Sequence, residues 1–245
     1  LSALAVDDDA ILVGGRTPSD LTFGSGADAI GPSGGDLLVS APYVARLDGS
    51  SGALLSRVIA TANGYLGRIE AVPGGSFASV VLDGPGGLGG LDLPPESVVR
   101  LDDGLVARQH WALGDVEGFV PLADGGAVVV GWMIHASSLV LPLPGGPTTL
   151  TDPSERSTYV ARLTPGGVVS WATFVSGVDL AHQPLLVPAD APDGEVVLTG
   201  SVSGPTTFGR EAGAPVVTAD AVDTALARLD DTTGEVDWLV VGGGV

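Results

Sequence analysis

Apolar residues gather in short runs rich in Val and Leu, each closed by Gly, Pro or Asp, and no window carries a sustained stripe at the helical period. Runs of that kind predict buried strands rather than helices. The pattern is plainest between Pro188 and Val241. There Glu195–Val202 reads as a buried strand, and Pro205-Thr-Thr-Phe-Gly209 reads as a loop anchor. Thr224–Asp230 and Glu235–Val241 read as a strand pair around the turn Asp231-Thr-Thr-Gly234.

The same order recurs through the chain. An Arg-Leu strand appears as Tyr43-Val-Ala-Arg-Leu-Asp48, Val98-Val-Arg-Leu-Asp102, Tyr159-Val-Ala-Arg-Leu-Thr164 and Leu226-Ala-Arg-Leu-Asp230. An apolar strand near a Gly precedes each copy, and a tight turn with a further apolar strand follows it. Each unit therefore reads as four strands, a to d. Strand a covers Ser2–Val6, Arg68–Val72, Glu117–Leu122 and Gln183–Pro188. Strand b covers Ala10–Arg16, Ser76–Leu82, Ala127–Met133 and Glu195–Val202. The Arg-Leu run is strand c, and strand d covers Ala53–Ile59, Leu105–Leu113, Val168–Val175 and Glu235–Val241. Gly and Asp fill the a–b and c–d turns, where they tolerate the positive φ of tight hairpins. The units span approximately 1–66, 67–115, 116–181 and 182–245.

A four-stranded unit cannot cover its own apolar faces, so copies must stack. Four hairpin-joined strands repeated radially make propeller blades. The predicted fold is all-β: a β-propeller of about four four-stranded antiparallel blades, or a piece of a larger ring. No strand is left over at one end to complete a blade at the other, and the ending Gly242-Gly-Gly-Val245 favours the piece. The order Gly-x-Val-Val-Val-x-Gly, loop, Phe-Gly, Val-Ala-Arg-Leu-Asp, turn and Trp-Ala resembles the SBBP-type β-propeller repeats of large bacterial surface and secreted proteins. The likeness covers nearly the whole chain and is best in the third and fourth units. The second unit departs most, with Leu91-Asp-Leu93 in place of Phe-Gly. The resemblance implies architecture and an extracellular or cell-surface setting, and it supplies no active site.

Charge narrows the partners. All ten basic residues are Arg, and with 29 Asp plus Glu the net charge is -19. Counterion-release binding to nucleic acid needs a basic surface, so nucleic acid is excluded as a partner, as is an anionic membrane. No apolar run reaches the ~20 residues that span a bilayer, which excludes membrane insertion by a helix. Ala3-Leu-Ala5 has the look of a signal-peptidase site, but Leu1 to Ala5 lacks a basic start and an apolar stretch, and it reads as a first strand. The absence of Cys removes disulfides, thiolate metal sites and Cys nucleophiles.

The b–c connections are long, about 17–41, 83–95, 134–156 and 203–222. Long loops on a rigid scaffold are where binding residues are placed, so a protein or glycan partner is expected on that face. Trp132, followed closely by His135, is the candidate ligand platform. The strand-c arginines Arg46, Arg100, Arg162 and Arg228 are expected to tie turn carbonyls or carboxylates between units rather than to form an anion ring. Trp111, Trp171 and Trp238 are expected to sit at equivalent strand positions and fill gaps between units, with Arg57 or a neighbour in that place in the first.

The acidic turns Asp7-Asp-Asp9, Asp102-Asp103, Asp190–Asp193 and Asp230-Asp231 lack the spaced ligands of a calcium loop. No cofactor is expected, Ca2+ being the one ion such turns could hold. His110, His135 and His182 have no zinc spacing, no nucleophile elbow is present, and Gly14-Gly15 and Gly86-Gly87 precede no helix. These readings point to a non-enzymatic binding or structural module. A polysaccharide hydrolase or lyase with a central site, and a purely architectural spacer, are the alternatives.

Overall fold

The continuous apolar runs are met by strands buried on both faces, as in Tyr159–Ala161 and Ala127–Val130, whereas the fourth meander alternates. In the last long strand Ala225, Ala227 and Leu229 are buried, while Thr224 and Leu226 on the other side are exposed. The structure is a computed structural model that describes residues 3–7, 9–17, 21–22, 29–30, 40–113, 115–133, 138–143, 146–151, 157–166, 168–176, 187–190, 196–209 and 213–243. Among these residues every regular element is a strand and there is no helix. The chain divides into two compact bodies, Leu1–Leu113 and Gly114–Val245.

The first body begins with β1 (Ala3–Asp7), β2 (Ala10–Thr17), β3 (Leu21–Thr22), β4 (Ala29–Ile30), β5 (Ala41–Asp48) and β6 (Leu54–Ile59). It continues with β7 (Gly64–Val72), β8 (Gly75–Leu82), β9 (Gly86–Leu88), β10 (Leu91–Leu93), β11 (Glu96–Leu101) and β12 (Ala107–Trp111). Two four-stranded antiparallel meanders result, ordered β1-β2-β5-β6 and β7-β8-β11-β12, while β3 pairs β4 and β9 pairs β10 as separate ribbons. The Arg46 side of the first meander (Leu12, Val44, Val58) packs on the second meander through Leu66, Ile69, Ala78, Val80, Val99 and Leu101. The opposite side of the first meander carries a smaller buried cluster of its own Val13, Tyr43 and Ala45.

The second body contains β13 (Asp115–Pro121), β14 (Ala127–Trp132), β15 (Ser138–Leu143), β16 (Gly146–Thr151), β17 (Ser157–Leu163) and β18 (Val169–Ser176), then β19 (Val187–Asp190), β20 (Val196–Phe208), β21 (Val216–Leu229) and β22 (Val236–Gly242). A third meander, β13-β14-β17-β18, and a fourth, β19-β20-β21-β22, follow the same a-to-d order. The Arg162 side of the third (Val128, Val130, Val160, Trp171, Val175) packs on Val196, Leu198, Ala225, Ala227 and Leu229 of the fourth. All four meanders carry a β-bulge at the same step of strand c, between Arg46/Leu47, Arg100/Leu101, Arg162/Leu163 and Arg228/Leu229. A bulge there twists the c–d hairpin and turns its tip.

Three expectations need correction. The first predicted boundary, after residue 66, falls inside β7, which starts at Gly64 because a bulge between Leu66 and Arg68 lets the pairing continue past the expected start. The long b–c connections are not plain loops: each contains a two-stranded ribbon, since their polar spacers still alternate with Leu, Val and Thr that pair across a turn. In the fourth meander β20 and β21 simply run on past a bulge between Val202 and Gly204, pairing Thr206 with Val217 and Thr207 with Val216. Finally, the third and fourth meanders are not separate sheets. The ribbon end of β20 bonds the free edge of β18, Val175 facing Phe208 and Ser176 facing Thr207, so the eight strands form one sheet.

Candidate functional site

Positions for chemistry follow from the alternation just described. On strand c, each Arg lies on the side opposite the flanking Ala (Val99 in the second meander) and Leu. Arg46 of the first meander donates through Nη1 to the main-chain carbonyl of Asp103, in the c–d turn of the second, at 3.1 Å. Arg162 of the third donates in the same way to the carbonyl of Asp231, in the c–d turn of the fourth, at 3.1 Å, and to the Asp124 carboxylate at 2.9 Å. The indole Nε1 of Trp171 shares the Asp231 carbonyl at 2.7 Å. Arg100 stands over the Phe77 ring, 6.0 Å from its centroid, and Arg228 pairs with Asp237 of its own meander at 3.2 Å. The expected ties between units are thus present within both bodies, made to carbonyls of turns.

The tryptophans need a correction. Trp171 and Trp238 face Arg162 and Arg228 across the c–d pair, but Gln109 faces Arg100 and Trp111 faces Val98, one same-side place further on. In the first meander the place opposite Arg46 belongs to Ser56, the neighbour of Arg57. The bulge is common to all four meanders, so the difference lies in the sequence: Trp111 stands two residues beyond Gln109, the residue that faces Arg100. Trp111 and Trp171 are buried, Trp111 against Phe77 with ring centroids 5.9 Å apart. Trp238 is exposed.

The c–d turns are held by their leading side chains. One Asp48 carboxylate oxygen accepts the Ser50 and Ser51 hydroxyls, both at 2.7 Å, and their main-chain N–H groups. Asp230 accepts the N–H groups of Thr232 and Thr233 at 2.9 and 2.7 Å. Asp102 accepts the N–H groups of Val106 and Gly104 and the Arg108 guanidinium. In each case the carboxyl is held below the ordinary carboxylate range: at Asp48 chiefly by the Ser50 and Ser51 hydroxyls, at Asp102 by the Val106 N–H and at Asp230 by the Thr233 N–H. These acids are occupied as turn caps. Among the described residues no group of three His, Asp or Glu side chains is placed to hold a metal ion.

The first body also carries a cleft of about 530 Å³, lined by Arg57, Val58 and Ile59 of β6, by Thr61, and by Gly87, Gly89, Gly90, Leu91 and Asp92 of the β9–β10 ribbon. The ribbon is fixed as one wall. Thr61 N–H donates to the Gly87 carbonyl at 2.9 Å, Gly87 N–H donates to Thr61 Oγ1 at 2.8 Å, and Ala107 N–H donates to the Gly89 carbonyl at 3.2 Å. Its tip requires Gly89 and Gly90, whose φ values are 58° and 90°. This wall lies in the 83–95 connection, one of the b–c connections expected to bear a ligand, though its pairing as a ribbon was not foreseen. Of the two glycine pairs around Leu88, Gly86-Gly87 was set aside because no helix follows it.

Trp132, the last residue of β14, is half-buried, with Asp115 and Thr158 beside it in the sheet. His135, expected near it, lies outside the described residues, as does His182. No protein-family model matches this sequence, and no curated protein matches it.

Proposed function

We propose that this chain is a non-enzymatic binding module, a β-propeller-type array of four-stranded blades from a secreted or cell-surface bacterial protein, and that the cleft at the β9–β10 ribbon takes a glycan. The observation that carries the binding reading is what lines the cleft. The Arg57 guanidinium, a donor, and the Asp92 carboxylate, an acceptor, both line it, with glycine main chain and the Thr61 hydroxyl between them. Sugar hydroxyls both donate and accept, and they need such paired groups on a rigid wall more than an apolar pocket. The volume falls within the ~300–1,000 Å³ range of small-molecule sites. The propeller reading draws on the same four-strand order in each meander and on arginines that reach from one meander to the next meander's turn. The setting rests on the resemblance to SBBP-type repeats.

A glycan array probed with and without calcium tests the reading. Binding is expected without calcium, and Arg57→Ala and Asp92→Ala are each expected to weaken it about tenfold or more at unchanged melting temperature. A chain that binds no glycan, or that binds equally well with both residues replaced, contradicts it.

A further inference from the structure

On the reading that the cleft takes a glycan, we infer that this glycan is linear and uncharged and lies lengthwise along β6, where the main chain of Ile59 reads it. Register decides which way β6 turns its main chain. Ala60 N–H donates to the Pro42 carbonyl of β5 at 2.9 Å, in the register that pairs Ile59 with Tyr43 and Val58 with Val44. Alternate residues of an antiparallel strand bond the same neighbour. Val58 therefore faces β5 as Ala60 does, while Arg57, Ile59 and Thr61 turn N–H and C=O to the other edge. Thr61 shows that edge in use, since its N–H donates to the Gly87 carbonyl of the ribbon at 2.9 Å. β6 is the outer strand of its meander, and Arg57 and Ile59 both line the cleft.

The second body shows what this edge requires. Phe174 holds in β18 the register place of Ile59 in β6, each facing the tyrosine of its strand c, Tyr159 and Tyr43. The Phe174 carbonyl accepts the Gly209 N–H at 2.9 Å, and beside it Val175 faces Phe208 and Ser176 faces Thr207. There the following meander closes the edge. In the first body the ribbon of the following meander is tied at Thr61, and past that tie Ile59 lines the cleft together with Gly89, Gly90, Leu91 and Asp92. Among the described residues no main-chain N–H donates to the Ile59 carbonyl. A main-chain carbonyl needs a donor, and a sugar hydroxyl can donate to it while accepting from the N–H of the same residue. A peptide strand added to this edge would need pockets for its alternate side chains, whereas the ribbon brings Gly87, Gly89 and Gly90 to the lining.

Length and charge narrow the class of glycan. The lining runs from Arg57 to Thr61, about 13 Å of extended chain at about 3.3 Å per residue, which is longer than one sugar ring. Affinity should therefore grow with the number of rings. One Arg and one Asp line the cleft, and the chain carries a net charge of -19. A uronic or sulfated polymer repeats its negative charge along its length and meets that field at every repeat, which a single guanidinium does not offset. An uncharged chain meets no such repulsion.

Titration calorimetry of the full chain tests the inference, using linear oligosaccharides of glucose, xylose, mannose and N-acetylglucosamine from one ring to six, with oligogalacturonates of equal length as the charged set. At least one neutral series should bind about tenfold or more tighter at four rings than at one, and the oligogalacturonates should not bind at low salt. In that complex amide hydrogen exchange at Ile59 should slow about tenfold or more, while exchange at Val58, already facing β5, should not change. Ile59→Pro removes an outward N–H, which an edge strand tolerates, and should weaken the same glycan about tenfold or more; Ile59→Val should bind as wild type. Should Ile59→Pro fail to fold, the exchange at Ile59 decides. A single ring that binds as tightly as four, a preference for oligogalacturonate, or unchanged exchange at Ile59 would overturn the inference. So would a folded Ile59→Pro that binds as wild type, or an extended peptide that displaces the glycan. Any of these alongside glycan binding that Arg57→Ala and Asp92→Ala weaken would leave the glycan reading standing. No binding to any glycan would overturn both.

Discussion

A guanidinium that reaches from one meander to the turn of the next adds a directional tie that hydrophobic packing alone cannot give, because it fixes the register of one on the other. Arg162 is largely buried and bonds both Asp231 and Asp124. Arg162→Leu should lower stability by about 2 kcal/mol, the scale of hydrogen bonds to a charged group, read as a fall in the urea midpoint at constant slope. Arg162→Lys should recover little of it, since an ammonium cannot span both acceptors as the fork does. The turn acids give a pH signature. Asp230 is held below its ordinary value chiefly by the Thr233 N–H, so its stabilisation is present above about pH 4 and is lost as pH falls through the lower folded value. Asp230→Asn should therefore melt below wild type at neutral pH, and the gap should narrow as pH drops below about 4. A gap that stays constant would mean the carboxylate charge is not what holds the turn.

At the scale of the strand, most of the fold was readable from sequence. Runs such as Glu195–Val202 and Tyr159–Thr164 combine β-branched residues with Gly and Asp stops, and both coincide with strands, β20 and β17. The ribbons in the b–c connections were not readable. Segments such as Gly86–Leu93 are too short and too rich in Gly for a propensity signal, and they pair only because neighbouring strands hold them. The bulge at each Arg-Leu step was equally silent, and Trp111 stands one same-side place beyond the residue that faces Arg100. The cleft was missed for the same reason as the ribbons, since its wall exists only once β9 and β10 pair. Two glycines make the role of the turns testable. Gly234→Ala must both adopt positive φ and displace the Trp171 ring, whereas Gly52→Ala meets open space. Gly52→Ala should cost about 1 kcal/mol and Gly234→Ala distinctly more, compared by chemical denaturation.

Across the whole molecule the same arrangement serves twice, once in Leu1–Leu113 and once in Gly114–Val245: an Arg-bearing side, a small-residue side over it, and a turn carbonyl as the tie. Strands of one meander meet at least one other meander, so neither body should lose a single meander without losing both. Function was far less legible than fold, because binding chemistry sits in connections whose shape no periodicity encodes, and Trp132 and the cleft lie on different bodies. The account depends most on one contact, that of Trp171 with the turn of the following meander. A double-mutant cycle with Trp171→Leu and Gly234→Ala measures it directly. The ring and the added methyl compete for the same space, so the loss from Gly234→Ala should shrink by about 1 kcal/mol or more once Trp171 is gone. Additive losses would contradict the stacking of the third meander on the fourth, and with it the architecture proposed for the chain.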